Sequence, residues 1–286
     1  MGLSNLYIGT AGWSYEDWKG IVYPERPGKG FHPLKLLAQW FNCVEINSSF
    51  YHPPKAKTAE SWVKLTESNT DFQFSAKLWE RFTHHRETWP APSEIAQYKD
   101  GIAPLVAAGR LGGLLVQFPW SFRRTPENRL WLGKIAECFD GYPLVVEVRH
   151  ETWNVPEVFG GLRTRGIAFC NIDQPIFQDS IAPSAHVTAP LAYVRFHGRN
   201  YANWFKEGAS QNQRYDYLYS EEELMPWVDM LKAIQAKAKN VYVVTNNHFQ
   251  GQAVVNALEI AAMLGHANMP LPSSLTSRYP RLNRLL

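Results

Sequence analysis

Eight short β-rich runs recur along the chain, at 6–9, 43–49, 72–77, 112–118, 144–149, 168–173, 192–198 and 241–247. Each is rich in Val, Ile, Leu and Phe, the composition of strands buried on both faces of a parallel sheet. Helix-length amphipathic segments separate most of them. In the first, Leu34, Leu37, Ala38 and Phe41 fall at i, i+3, i+4 and i+7, one stripe of a helix. Thr125-Pro126 reads as an N-cap followed by proline at the first helical position, with Leu130, Trp131, Ile135 and Cys138 as the expected core face. Ser220 with Glu223 three residues on is a capping box ahead of Leu224, Trp227, Val228 and Leu231. Further helices are expected over 58–66, 94–107, 155–163 and 253–264. Only 174–190, with Pro175, Pro183 and Pro190, carries no helical pattern.

Strand and helix alternating eight times predicts an α/β chain folded as a TIM (β/α)8 barrel, with one irregular unit around 174–190. An open doubly wound sheet also alternates, but rarely uses eight strands over this length, and no GxGxxG follows the first run. No linker or low-complexity stretch interrupts the 286 residues, so the expectation is a single domain over 1–286.

Composition narrows the function classes. The net charge of +3 does not demand a nucleic-acid partner, although a local basic patch would still bind one. Cys43, Cys138 and Cys170 are far apart, odd in number and without CxxC spacing, which points to a reducing compartment without disulfides or a thiolate metal site. No run approaches the roughly 18 apolar residues of a membrane span. Met1-Gly2-Leu3-Ser4 opens without the pattern of a secretory signal. A cytoplasmic protein with no membrane association is expected, and no obligate protein partner is inferred. Aromatic residues reach 14%, enough to fill a core and also line a site for a planar ligand.

The ends of the runs carry the chemistry. Active sites of such barrels lie at the C-terminal ends of the strands, and residues i and i+2 of a strand share a face. Five runs end in polar dyads: Glu45/Asn47, Ser75/Lys77, Glu147/Arg149, Asn171/Asp173 and Arg195/His197. The residue between each pair is apolar and is expected to face the helices. A purely structural barrel core would place Val, Ile or Leu at the dyad positions, because each unpaired buried ion costs several kcal/mol. Structural ion pairs filling the top layer are the alternative, but five dyads converging on one mouth point to a functional site.

Within that site Glu147, His197 and Asp173 are the expected catalytic groups. Arg149 beside Glu147 would keep the carboxylate ionised or make with it a switchable acid/base pair, and Arg195 beside His197 would favour a neutral imidazole able to act as a base. Lys77, Arg149 and Arg195 would hold a phosphate or carboxylate. Asn47, Gln117 and Asn247 would donate hydrogen bonds, with Glu45 beside them. Trp13 and Tyr15, just after the first run, would form either a stacking wall or hydrophobic cover over the mouth. His84 and His85 fall on a loop and read as solvated. Residues 199–219 interleave Tyr201, Trp204, Phe205, Lys206, Arg214, Tyr215 and Tyr217. That mixture suits a single-strand nucleic-acid platform, but its place after the seventh run favours a lid or rim over the mouth. The tail arginines Arg278, Arg281 and Arg284 read as solvated surface charge.

Several blocks together resemble the DUF72 family. They are Ile8-Gly9-Thr10-Ala11-Gly12-Trp13-Ser14-Tyr15 with Trp18 and Tyr23-Pro24, then Val44-Glu45-Ile46-Asn47-Ser48-Ser49-Phe50-Tyr51 with Pro54, and Phe74-Ser75-Ala76-Lys77 followed by Thr83-His84. Further along come Leu115-Val116-Gln117-Phe118-Pro119 with Phe122, Val146-Glu147-Val148-Arg149-His150 with Trp153, Tyr193-Val194-Arg195-Phe196-His197-Gly198, and Asn246-Asn247-His248 with Gly251, Ala253 and Asn256-Ala257. Departures are small: Ala11 where Ser is usual, Ser49 where Thr is usual, and Val244-Thr245 where an aromatic commonly precedes the Asn pair. The resemblance implies a TIM barrel in a bacterial cytoplasmic protein. It implies no established activity; a likeness to endonuclease IV-type barrels is a fold-level analogy.

The combined expectation is a barrel enzyme without metal or other cofactor, performing acid/base hydrolysis, lyase or isomerase chemistry on a small anionic substrate such as a sugar phosphate or nucleotide fragment. Glu45, Glu147, Asp173, His197 and His248 include metal-binding residue types, but Arg149 and Arg195 lie two residues from two of them, a poor setting for a divalent cation. The alternatives are a non-catalytic nucleic-acid or nucleotide binder and a metal-dependent, endonuclease IV-like phosphodiesterase.

Overall fold

The computed structural model describes residues 5–266 and 270–286; Met1 to Ser4 and the segment 267–269 lie outside the described residues. Eight parallel strands close into one barrel: β1 (Leu6–Ala11), β2 (Cys43–Ile46), β3 (Gln73–Lys77), β4 (Leu111–Gln117), β5 (Leu144–Glu147), β6 (Ala168–Asp173), β7 (Leu191–Phe196) and β8 (Asn240–Thr245). Each strand pairs with its neighbour in the chain, and β8 returns to β1 with Leu6 opposite Val241 and Thr10 opposite Thr245. Gly9 of β1, paired with Cys43 of β2, leaves no room for a side chain: a Cβ there would sit 1.9 Å from the Cys43 carbonyl oxygen.

Around the barrel run α1 (Pro33–Leu37), α2 (Ser48–Tyr51), α3 (Ala56–Leu65), α4 (Glu80–Thr83), α5 (Pro92–Ala107), α6 (Pro126–Cys138), α7 (Pro156–Thr164), α8 (Gln211–Arg214), α9 (Glu221–Gln235), α10 (Gln252–Met263) and α11 (Ser273–Arg278). The expected caps form: Thr125 accepts from the Asn128 amide at the start of α6, and Ser220 and Glu223 close a reciprocal box at the start of α9. α9 buries Leu224, Trp227, Val228 and Leu231 as its periodicity requires. Among the described residues, no helix is long and apolar enough to cross a membrane.

Two local expectations are corrected and a third is met. Leu130 is exposed (69%) rather than core-facing. At 100° per residue it lies well to one side of the stripe formed by Trp131, Ile135 and Cys138. The second strand stops at Ile46, and α2 begins two residues later, swinging Phe50 and Tyr51 out over the mouth. Residues 174–190 do cross from β6 to β7 without a helix, but they are held in place: Asn171 Oδ1 accepts from Ser184 Oγ and the His186 amide, both at 2.8 Å.

The barrel interior is graded. At its N-terminal end Tyr7 stacks on Tyr242 (ring centroids 4.6 Å), and Tyr242 stacks on Tyr193 (5.9 Å). The Tyr193 hydroxyl, 2.5 Å from Ser75 Oγ, donates upward to Glu45 Oε2 at 3.1 Å. Aromatic rings thus plug the base, and charge begins halfway up. The apolar residues of the strands' other face pack against the helices, in two contiguous clusters.

Candidate active site at the barrel mouth

Arg195 of β7 is the centre of the buried charge. Its Nη2 donates to Glu45 Oε1 of β2 at 2.7 Å and its Nη1 to Glu147 Oε2 of β5 at 2.6 Å. The other oxygen of Glu147 accepts from Arg149 Nη2 at 2.9 Å and Nε at 3.1 Å. His197 stands 3.2 Å from Glu147 through Nε2 and 3.1 Å from the Asn246 amide through Nδ1. Glu45, Glu147, Arg195 and His197 are all buried, whereas Arg149 reaches the open cleft. The two carboxylates and two arginines balance formally.

Burial alone would raise the Glu147 carboxyl, but Arg195, His197 and Arg149 together bring it well below the usual carboxylate range. Burial, reinforced by Arg149, lowers His197 to about 3, so its imidazole is neutral. Lys77, at the end of β3, is lowered to about 8 by burial and by Arg195, against the pull of Glu45 and Glu147. Its ammonium lies over the Phe50 ring, 4.1 Å from the centroid.

Above this floor lies a cleft of about 420 Å³. Lys77, Arg149 and Arg214 line it, with the amides of Asn47, Gln117 and Asn246 and the imidazoles of His84 and His248. Its walls are Tyr15, Phe50, Tyr51, Trp120, Trp204, Phe205 and Tyr215. No Asp or Glu is among its lining residues. Tyr15 stacks on His248 at 4.4 Å, with the planes 10° apart. Burial lowers both His248 and His84 to about 4, with Lys77 adding to the effect at His84. Trp120 Nε1, Arg214 Nε and His248 Nδ1 are buried nitrogens without a hydrogen-bond partner.

Of the residues singled out from sequence, Tyr15, Asn47, Lys77, Gln117 and Arg149 line this cleft, and Glu45, Glu147, Arg195 and His197 form its floor. Asp173 does not join them. Ile172 pairs with Arg195 and Asp173 with Phe196, so it is the apolar phase of β6 that faces inward. Asp173 faces the helix layer, accepting from Arg199 Nε (2.8 Å) and Nη2 (2.6 Å), the Tyr219 hydroxyl (2.6 Å) and Trp227 Nε1 (2.6 Å). It anchors residues 199–219 rather than touching the cleft.

Asn247 is displaced in the same way: its amide donates to the Tyr217 carbonyl and to Asn256, and Asn246 and His248 on either side take the cleft positions. Trp13 packs edge-on against Trp62 (5.5 Å) and is cover, not cleft wall. Arg195 cannot meet a ligand directly, being 1% exposed with both ends of its guanidinium held by carboxylates.

His84, expected to be solvated, is half-buried and lines the cleft; Asn246 and His248 take cleft positions that the sequence had not assigned to ligand contact. The Thr83-His84 and Asn246-Asn247-His248 blocks were visible, but their orientation was not. Residues 199–219 supply Trp204, Phe205, Arg214 and Tyr215 as one wall, consistent with the lid-or-rim expectation. The tail arginines are not merely solvated: Arg281 and Arg284 pair with buried Glu259. Among the described residues, no three His, Cys, Asp or Glu side chains gather in an arrangement that would hold a metal ion.

Comparison with known proteins agrees with this architecture. The chain is 29% identical over 272 residues to the UPF0759 protein YunF of Bacillus subtilis, covering 91% of this chain and 94% of that one. It is 28% identical over 146 residues to the UPF0759 protein YecE of Escherichia coli K12, about half of each chain. A crystal structure of a DUF72 family protein from Thermotoga maritima superposes with a TM-score of 0.79 at 36% identity, covering 92% of this chain and 100% of that one. A DUF72 protein from Enterococcus faecalis gives 0.78 at 25% identity, covering 92% and 96%. The model of the family described as "Protein of unknown function DUF72" matches residues 7–279, and the chain belongs to that family.

Proposed function

We propose that the protein is a metal-independent acid/base enzyme acting on a small anionic substrate that carries a flat or ring-shaped group. The observation that supports this most is the cleft lining, with Lys77, Arg149 and Arg214 facing it and no carboxylate among them. Because Glu45 and Glu147 are already engaged by arginine, the positive charge at the cleft has no internal counter-ion beyond them. Forked guanidinium donors suit phosphate or carboxylate, and the seven surrounding rings suit a planar group.

In this reading Glu147 and His197 act from beneath, holding Arg149 and leaving it aimed upward. Proton transfer at the ligand falls to Lys77, which titrates near neutrality, and to the neutral imidazoles of His84 and His248. The arginines beside both floor carboxylates favour chemistry without a divalent cation.

Titration with inorganic phosphate and a nucleoside monophosphate, followed by calorimetry and thermal shift, tests the reading. Saturable binding that weakens with salt is expected, the nucleotide binding more tightly than phosphate. Arg149→Ala should weaken it about tenfold or more, the loss of a charge-assisted hydrogen bond from the Nη1 that Glu147 leaves open. Absence of saturable binding by either anion would overturn it.

A further inference from the structure

Lys77 is unlike the other cations of the site. Among the described residues, its amine has neither a carboxylate within ion-pair distance nor a hydrogen-bond acceptor, although Glu45 and Glu147 lie in the same barrel end. Arg195 and Arg149 have taken both carboxylates. The Lys77 backbone is fixed: its carbonyl accepts from Ser49 Oγ at 2.8 Å and from the Tyr98 hydroxyl at 2.7 Å. A rigid strand end therefore presents one unpaired primary amine to the cleft, beside Arg149, whose Nη1 is left open by Glu147 and His197.

We propose that Lys77 is a covalent nucleophile, condensing with the carbonyl carbon of an anionic aldehyde or ketone held by Arg149. This rests on the reading of the cleft as an anion site and narrows its substrate class. The nitrogen lone pair attacks the carbonyl carbon, forming a C–N bond as the C=O π bond opens, and the oxygen takes up a proton to give a carbinolamine; the two protons the oxygen gains in all are the two the neutral amine loses. The C–O bond then breaks. The oxygen leaves as water, carrying a second proton, and an imine remains on Nζ. No oxidant or reductant is needed. His84 and His248, neutral and in the same lining, can relay the protons. Once protonated, the imine withdraws electrons from the adjacent carbon, the chemistry that lyases and isomerases of carbonyl compounds require. The lowered pKa of Lys77 supports this: with a value of about 8, it holds roughly two-hundredfold more unprotonated amine at pH 7 than an ordinary lysine does.

The test is reductive trapping on the intact protein at pH 7. Glyoxylate is the anionic probe and propionaldehyde the uncharged control, with sodium borohydride added and the modified lysine located by peptide mass mapping. Glyoxylate should mark Lys77 at least about tenfold more than exposed lysines such as Lys57 and Lys237, in line with the excess of free amine. Inorganic phosphate should protect it, and propionaldehyde should mark it less. Lys77→Arg, checked by thermal melt for folding, should lose the mark. Labelling of Lys77 no stronger than that of Lys57 would overturn the proposal. If phosphate nonetheless bound saturably, the anion reading would stand while the amine's role fell. Equal marking by both aldehydes without phosphate protection would overturn the anionic substrate class proposed for Lys77, while the phosphate titration decides the anion reading separately.

Discussion

Glu147 and Arg195 meet at 2.6 Å near the top of the barrel, both wholly shielded from water, and each also holds a second partner of opposite charge. Because Glu147 neutralises Arg149 as well, it is the shared counter-ion of two guanidiniums. Replacing it strands Arg149 and leaves Arg195 with Glu45 alone. Glu147→Gln should therefore lower stability by about 3–5 kcal/mol, the cost of breaking a buried pair from one side. Thermal melts of the purified variant measure this. An unchanged or raised melting temperature would mean that the cluster is a stability liability held together for function alone.

Asp173 accepts four hydrogen bonds that join β6 to Arg199, Tyr219 and Trp227. Asp173→Asn keeps the shape but turns half of the acceptor group into a donor facing donors. A loss of about 2–4 kcal/mol is expected. Limited proteolysis should cut first within 199–219, since that segment loses its anchor. Cleavage elsewhere, with 199–219 intact, would refute the anchoring role.

His84 and His248 are lowered to about 4 and His197 to about 3, mainly by burial. The unfolded chain takes up protons on these groups near pH 6.5, while the folded protein does not. Stability is therefore fully present above that value and is lost as pH falls toward 4, with the depressed Glu147 adding to the loss below about pH 4.5. Melting temperatures at pH 7, 6 and 5 should fall in order. His248→Gln should flatten the slope.

Lys77 shifts in the opposite sense for a base: folding disfavours its charge. The penalty is fully present below pH 8 and disappears as pH rises toward the ordinary lysine value near 10.4. Lys77→Met should raise stability at pH 7 by about 1–2 kcal/mol, allowing for screening by water in the cleft. The gain should vanish near pH 10. A destabilised variant at pH 7 would show that the amine has a stabilising partner in the folded protein.

What the sequence determined by itself was the barrel and its polar upper layer. Strand-length apolar runs separated by helical periodicity leave few architectures able to bury both, and the Glu45, Lys77, Glu147/Arg149 and Arg195/His197 positions fell on the inward phase as alternation required. Alternation defines two faces of a strand but not which one is inside. In β6 the choice lay between Asn171/Asp173 and Cys170/Ile172, and it was decided by register with β7, which aligns Ile172 with Arg195. The polar phase is tolerated on the outer face because its groups are satisfied there, Asn171 by Ser184 and His186 and Asp173 by Arg199, Tyr219 and Trp227 of α9. The same ambiguity hid Asn246 and His248 behind Asn247. Tertiary structure alone also brought His84, Trp120 and Tyr215 to the cleft, since loop side chains far apart in the chain have no period from which their direction can be read.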